Sequence, residues 1–294
     1  MTTCPLDGCN GTTSLRYRLD RFDVRTCERC GILFRDPFPG DDEIRAMYED
    51  PLYHASEYFA PVDDRPASGP EARIHEQALT WLDESRPCGA TRSSRLLDIG
   101  CGNGVFLARA RTHGWEVDGV EMSRSLSERC LRETGVAPRC GDYLQLEPTP
   151  ATYDAICMWD FLEHTCKPEA VLEHAMRELR PEGRILIFTI DSDSLFNLLA
   201  HFLYRVGFGR FRRGIELLYD ARHNYYFSQE TLAKILKKKG LSTDHKASYR
   251  AHLGRWLAEP VPAFVKLSGD IVDAASGLVG RRYRQLLICR RQET

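Results

Sequence analysis

The stretch Leu96-Leu97-Asp98-Ile99-Gly100-Cys101-Gly102-Asn103-Gly104 reads as a short apolar strand running into three alternate glycines. Apolar residues at helical spacing begin directly after it, at Val105, Phe106 and Ala110. A chain that leaves a strand and enters a helix this quickly needs glycine, which takes positive φ freely and lets backbone come close to a ligand. The turn aims the amides of a helix N-terminus into the crevice at the strand's carboxyl end. Asp98 lies within the strand. A second apolar segment, Val117-Asp118-Gly119-Val120, ends in Glu121, 17 residues after Gly104. A carboxylate at that strand end can accept both hydroxyls of a ribose, and two charge-assisted bonds fix a sugar firmly.

The spacing is Gly-x-Gly-x-Gly, whereas nicotinamide-dinucleotide folds use Gly-x-Gly-x-x-Gly; a plain glycine turn is the other alternative. Here the chain resembles the class I S-adenosylmethionine-dependent methyltransferases, whose first motif is an acidic residue, one apolar residue and then Gly-x-Gly-x-Gly. The resemblance implies S-adenosyl-L-methionine held by Asp98, Gly100, Cys101, Gly102, Asn103 and Gly104, with Glu121 on the ribose and Met122 beside it. Two later motifs extend it. Cys140-Gly141-Asp142-Tyr143 follows a third strand, and in the family an acidic residue there accepts the adenine amino group. That implies an adenine contact for Asp142, with Tyr143 flanking the ring. Asp154-Ala155-Ile156-Cys157-Met158-Trp159-Asp160-Phe161-Leu162-Glu163-His164 resembles the fourth motif, an apolar strand followed by Leu-Glu-His, and brings Trp159 to the cofactor. Leu179-Arg180-Pro181-Glu182-Gly183 resembles the family's Leu-x-Pro-Gly-Gly turn, with Glu182 in place of the first glycine.

From residue 95 onward strands and helices alternate, as a parallel α/β sheet with helices on both faces demands. Strands are expected near 95–99, 116–120, 136–140, 154–159, 184–190, 243–249 and 283–290, and helices near 103–113, 123–134, 168–180 and 228–239. The expected fold is a Rossmann-like, seven-stranded methyltransferase sheet, its last strand antiparallel, with a small N-terminal zinc ribbon. Helical spacing also covers 41–60 and 71–84, the second of which would cover the cofactor. The domains then run 1–40 (ribbon), 41–92 (helical linker and cover) and 93–294, with insertions at 192–227 and 250–281. The chain has 294 residues, 43% apolar, and a net charge of −2, so it carries no global attraction for polyanions. No apolar run is long enough to span a membrane, and the first residues lack a signal sequence. Eleven cysteines without such a signal read as reduced thiols in the cytoplasm.

Four of those cysteines stand apart. Cys4-x4-Cys9 and Cys27-x2-Cys30 form two close pairs separated by 17 residues. Tetrahedral Zn²⁺ takes four thiolates, and a close pair lets one turn supply two of them. The alternation between them (Leu15, Tyr17, Leu19) suits a short hairpin, and the whole resembles a zinc ribbon. Residues 1–60 hold seven arginines, no lysine and eleven acids, which argues against nucleic acid as the partner. The leader through Pro37-Phe38-Pro39 and Tyr48 resembles that of a bacterial methyltransferase group acting on sugars, surface polysaccharides or natural products.

His164 follows the fourth strand, where transferred methyl and acceptor should meet, and an imidazole there can take a proton. With Asp160 and Glu163 it could instead hold Mg²⁺, as a similar cluster does in quinone O-methyltransferases, or simply bond the strand end. The insertion at 192–227 is aromatic and basic, with five arginines against two acids over 194–222. It suits anionic acceptor recognition, a lid with an aromatic core, or a membrane contact. It closes on His223-Asn224-Tyr225-Tyr226-Phe227-Ser228, which resembles a segment over the acceptor pocket in the polysaccharide-associated group and makes His223 a second base candidate. The segment 250–281 is expected to be helical and to pack on this lid or make a homodimer contact. The sequence thus points to methyl transfer from S-adenosyl-L-methionine to a small-molecule acceptor. A zinc-ribbon RNA methyltransferase and a non-catalytic cofactor-binding scaffold are the alternatives.

Overall fold

The structure is a computed structural model that describes residues 3–40, 43–44, 46–47, 69–86, 92–207, 209, 212–250 and 263–292. Its strands are β1 (Thr13–Arg18), β2 (Asp23–Cys27), β3 (Leu33–Asp36), β4 (Arg95–Ile99), β5 (Glu116–Glu121), β6 (Arg139–Cys140), β7 (Tyr153–Trp159), β8 (Leu179–Ile190), β9 (Tyr225–Tyr226), β10 (Leu241–Tyr249) and β11 (Arg284–Arg291). Its helices are α1 (Pro70–Glu84), α2 (Val105–Thr112), α3 (Arg124–Thr134), α4 (Pro168–Glu178), α5 (Leu195–Val206), α6 (Arg212–Leu218), α7 (Gln229–Lys238) and α8 (Ala263–Leu278).

Seven strands form one sheet in the order β10-β11-β8-β7-β4-β5-β6. β8, β7, β4, β5 and β6 pair in parallel, while β11 runs antiparallel between β8 and β10. All seven expected strands are present. β7 is buried at every residue, which is why it reads as a continuous apolar run rather than an alternation. The helices start where the side chains dictate. The Ser123 hydroxyl caps α3, and Ser228 with Thr231 forms a reciprocal capping box on α7.

Apolar side chains fill both faces of the sheet. On one, Ile74, Leu79 and Leu82 of α1 meet Leu96, Phe106, Leu107 and Trp115. On the other, Ile156, Met158, Leu172 and Leu236 share a core with Cys4, Cys27, Ile32 and Phe34 of the N-terminal region.

Two features depart from expectation. Residues 179–182 are extended and belong to β8, which pairs Leu179 with Tyr153, so Glu182 stands in a strand and not in a glycine turn. The N-terminal hairpin is part of a four-stranded sheet in the order β1-β2-β3-β9, whose last strand comes from the insertion. The helix expected at 41–60 lies mostly outside the described residues. Of the segment 250–281, residues 263–278 are helical and 251–262 lie outside the described residues. No helix among the described residues is long and apolar enough to cross a membrane.

Candidate functional site at the carboxyl ends of the sheet

The glycine turn between β4 and α2 takes positive φ at Gly100 (76°), Gly102 (57°) and Gly104 (83°). Space demands glycine as well. A Cβ on Gly100 would stand 2.7 Å from the Phe161 ring, and one on Gly104 would stand 2.5 Å from the Cys130 sulfur. Glu121, buried at the end of β5, ties the turn down. One carboxylate oxygen accepts the Gly102 amide at 2.9 Å and the other accepts the Ser123 amide at 2.8 Å. Burial raises the pKa of its carboxyl, and the backbone amides offset that only in part. Met122, next in the chain, is exposed.

The remaining residues of the first motif support the turn from below. Asp98 is buried in β4, and burial, followed by the nearby Cys130 and Glu121, pushes its pKa well up. Cys101 is buried against Gly119, and the Asn103 amide bonds Glu133 of α3 at 3.2 Å.

Beyond β6, Asp142 is exposed, and its Oδ1 accepts the Leu144 amide at 3.0 Å. The ring of Tyr143 is not brought to the crevice. It is buried against His174, its hydroxyl donating to Glu178 at 2.7 Å, so its side chain is a core contact. Trp159, at the end of β7, is packed among His75 of α1, Phe106 of α2 and Phe188 of β8, with ring centroids 4.6–5.1 Å away. These four rings pack on one another at the start of α2, the helix that follows the turn.

The two histidines come from segments 59 residues apart and meet edge to face at 4.7 Å. Backbone bonds hold them there. The Asn224 and Tyr225 amides donate to the Glu163 carbonyl at 2.8 and 3.1 Å, and the Asn224 side-chain amide donates to the His164 carbonyl at 2.6 Å. His164 Nδ1 lies 3.0 Å from the Arg222 carbonyl. A carbonyl only accepts, so Nδ1 carries the proton and Nε2 keeps its lone pair. Glu163 joins them, and ligand atoms of Glu163, His164 and His223 lie within 4.8 Å of one another. Glu163 is fully buried, and burial with the neighbouring Asp160 charge pushes its pKa up to about 8. Burial pushes His223 down to about 3 and lowers His164 too.

The carboxylate expected beside them is diverted. Asp160, at a φ of 47°, is ion-paired with Arg284, whose guanidinium lies 4.4 Å over the Phe188 ring. The triad is therefore Glu163, His164 and His223 rather than Asp160, Glu163 and His164. A Glu-His pair at a strand end was the signal for Glu163; its partnership with His223 had none.

At the other end of the chain, Cys4 and Cys30 place their sulfurs 3.7 Å apart, Cys9 and Cys27 do the same, and all four lie within 4.8 Å. A tetrahedron with Zn–S bonds of about 2.3 Å has edges of about 3.8 Å, so the four positions fit that ion. A Cβ on Gly11 would stand 2.5 Å from the Cys27 sulfur.

A parallel sheet closed by one antiparallel strand, with a glycine turn tied to a carboxylate on the next strand, defines a class I methyltransferase fold. The chain belongs to the methyltransferase domain family, whose family model matches residues 65–246. Among curated proteins it is similar to the ubiquinone biosynthesis O-methyltransferase of Pseudomonas aeruginosa, 27% identical over 136 residues that cover 43% of this chain and 56% of the relative. The same-named enzyme of Aeromonas salmonicida is 30% identical over 128 residues, covering 42% and 53%. The chain thus spans about half the length of these relatives. Among solved structures, the YcgJ protein of Bacillus subtilis matches with a TM-score of 0.51 and 19% identity, over 75% of this chain and all of that one. A geranyl diphosphate methyltransferase matches with a TM-score of 0.51 and 18% identity, over 74% and 79%. Both likenesses show the fold.

Proposed function

We propose that the chain transfers a methyl group from S-adenosylmethionine to a small-molecule acceptor, a sugar, sugar nucleotide or natural-product intermediate in the cytoplasm. One observation carries this. The carboxyl ends of β4, β5 and β7 bring together a glycine turn anchored on Glu121 and a Glu163–His164–His223 cluster. The ubiquinone biosynthesis O-methyltransferases to which the chain is similar support a small-molecule acceptor by their name.

The residues fit the cofactor. Each Glu121 oxygen accepts one backbone amide and keeps a lone pair for a ribose hydroxyl. Asp142 is exposed at the next strand end for the adenine amino group. Gly100, Cys101, Gly102, Asn103 and Gly104 offer backbone, and Trp159 an indole ring. Bound there, S-adenosylmethionine supplies an activated methyl carbon. The chain supplies position and excludes water, and His164 Nε2 takes the acceptor's proton while the Arg222 carbonyl holds the ring in that tautomer. His223 packs on the His164 ring and completes the site.

A second reading has a specific observation behind it. A carboxylate and two imidazoles converging within 4.8 Å can also hold a divalent cation that orients the acceptor. Glu163→Leu separates the two, because it removes the ligand oxygens and leaves His164 in place. The N-terminal region, residues 1–40, is proposed to hold one structural Zn²⁺ on Cys4, Cys9, Cys27 and Cys30, ahead of a helical cover at 41–92 and the methyltransferase domain at 93–294.

The test is calorimetry with S-adenosylhomocysteine, followed by transfer of labelled methyl from S-adenosylmethionine into small-molecule and RNA fractions of a cell extract. Binding, with label in the small-molecule fraction that falls on the order of 10²–10⁴-fold in His164→Gln, is the expected result. No binding of either sulfonium cofactor or its product, or label in RNA alone, overturns the proposal.

A further inference from the structure

α5 packs Phe196, Ala200 and Tyr204 on the core formed with Tyr17, Tyr219 and Tyr283, and its opposite face is apolar as well. Asn197 is buried with its amide on the Asp191 carbonyl at 2.9 Å, and His201 Nδ1 meets the Tyr17 hydroxyl at 2.9 Å. The opposite face carries Leu198, Leu199, Phe202, Leu203 and Val206, each between 38% and 59% exposed. Their spacing puts them on successive turns of one stripe. α6 and α8 pack against α5, and they too carry exposed apolar residues, Leu217, Ile271 and Leu278, the last 90% exposed. A single exposed leucine such as Leu131 is ordinary. Five exposed apolar residues on one helical stripe, with more on both neighbouring helices, mark a contact with something else.

The charges nearest the α5 stripe are basic, while the exposed Asp193 precedes the helix and the exposed Asp270 stands beside Ile271 on α8. α5 contains no acidic residue. Arg205 stands exposed beside Phe202 and Val206, the exposed Arg16 comes in from β1, and both hold down the pKa of His201, which burial lowers first. The exposed Arg281 sits at the start of the helix, its carbonyl accepting the Leu195 amide at 2.9 Å. The acids on α6 and in the β1–β2 turn are engaged, since Arg212 pairs with both Glu216 and Asp20.

We propose that α5, flanked by α6 and α8, docks the protein on an anionic phospholipid bilayer, lying in the plane of the headgroups. At 12 residues α5 is too short to span, where about 20 are needed. An apolar stripe rimmed by arginines is the chemistry of a helix that lies on a membrane, with the side chains in the acyl boundary and the guanidiniums on phosphate. A second copy fits this face less well, because a two-fold contact sets the face against the same arginines, whereas an anionic surface offers phosphate to each of them.

The test is flotation of the full chain with vesicles of phosphatidylcholine alone or with phosphatidylglycerol added. The expected result is flotation with the anionic vesicles only, weakened by salt. It should fall at least tenfold in Phe202→Glu and in Arg205→Glu, and stay unchanged in Leu131→Glu. Far-ultraviolet circular dichroism and thermal unfolding report whether each variant is folded, and Phe202→Ser serves if the glutamate does not fold. No flotation, equal flotation with neutral vesicles, or flotation that survives Phe202→Glu overturns the proposal. A dimer in sedimentation that Phe202→Glu splits into monomers overturns it as well, and assigns the face to a second copy.

Discussion

Replacing Glu121 with alanine separates two jobs that its carboxylate is placed to do. In the structure it holds two backbone amides, Gly102 at 2.9 Å and Ser123 at 2.8 Å. In the proposed complex it also accepts the ribose hydroxyls. The alanine variant orphans both amides, at about 1–3 kcal/mol each. Against this stands relief from a buried carboxylate whose pKa burial has already raised, so the net loss of stability falls near the lower end. The ribose contacts are charge-assisted bonds worth about 1.5–3 kcal/mol to cofactor binding, a weakening of roughly 10- to 150-fold. Thermal unfolding without ligand reads the first quantity, and calorimetry with S-adenosylhomocysteine reads the second. Glu121→Gln should fall between wild type and alanine in both, because one amide oxygen can still accept while its NH₂ faces a donor. If Glu121→Ala lowers the melting temperature but binds the cofactor within twofold of wild type, the carboxylate serves only the turn and the ribose assignment is wrong.

Elemental analysis should find one zinc per chain, and Cys27→Ser should lower that content while leaving cofactor affinity near wild type; a folded, metal-free native protein would refute the assignment. Arg35, buried in β3, donates to the Ala221 carbonyl at 2.6 Å, and its amide donates to the Asn224 carbonyl at 2.9 Å. Arg35→Met should loosen the segment that carries His223, at about 1–3 kcal/mol, and lower kcat without changing cofactor affinity; unaltered kcat would detach Arg35 from the site. Asp154 is held by Arg92 at 2.6 and 2.7 Å, the Arg95 amide at 2.9 Å and Arg180 at 2.7 Å, and these outweigh burial to lower its pKa. A depressed carboxyl stabilises the fold above the ordinary carboxylate range and ceases to as pH falls through its folded-state pKa. Asp154→Asn should therefore flatten the acid limb of melting temperature against pH, and parallel curves for the two proteins would count against the network.

The parts of this molecule readable from sequence are those where backbone or burial leaves one choice. Three glycines at positive φ, a carboxylate at the next strand end and continuous apolar runs mark the sheet and its crevice, because each requirement is local. The four cysteines were legible for the same reason. What escaped depends on which way a side chain turns or on a distant partner. Tyr143 lies one residue beyond a strand-end acid, and only the packing of α4 shows that its ring belongs to the core. Asp160 and Glu163 are equivalent in sequence as companions of His164. Arg284, from the last strand, takes one and leaves the other. β9 is two residues long, and no periodicity marks so short a strand.

That short strand ties the beginning of the chain to its far part. Leu33 pairs with Tyr226 and Phe34 with Tyr225, so β3 gains its outer neighbour from chain made almost two hundred residues later. On the ribosome the four N-terminal cysteines emerge early, while the edge of β3 waits, a bare row of amides and carbonyls open to any other extended chain. Cutting the gene near residue 40 to make a tidy N-terminal fragment would leave that edge permanently unpaired. The remaining piece would lose the strand on which Tyr225 and Tyr226 rest. The boundary that looks natural along the sequence is thus a poor place for a recombination or an expression truncation, and shuffling this ribbon onto another methyltransferase would have to carry residues 220–228 along with it.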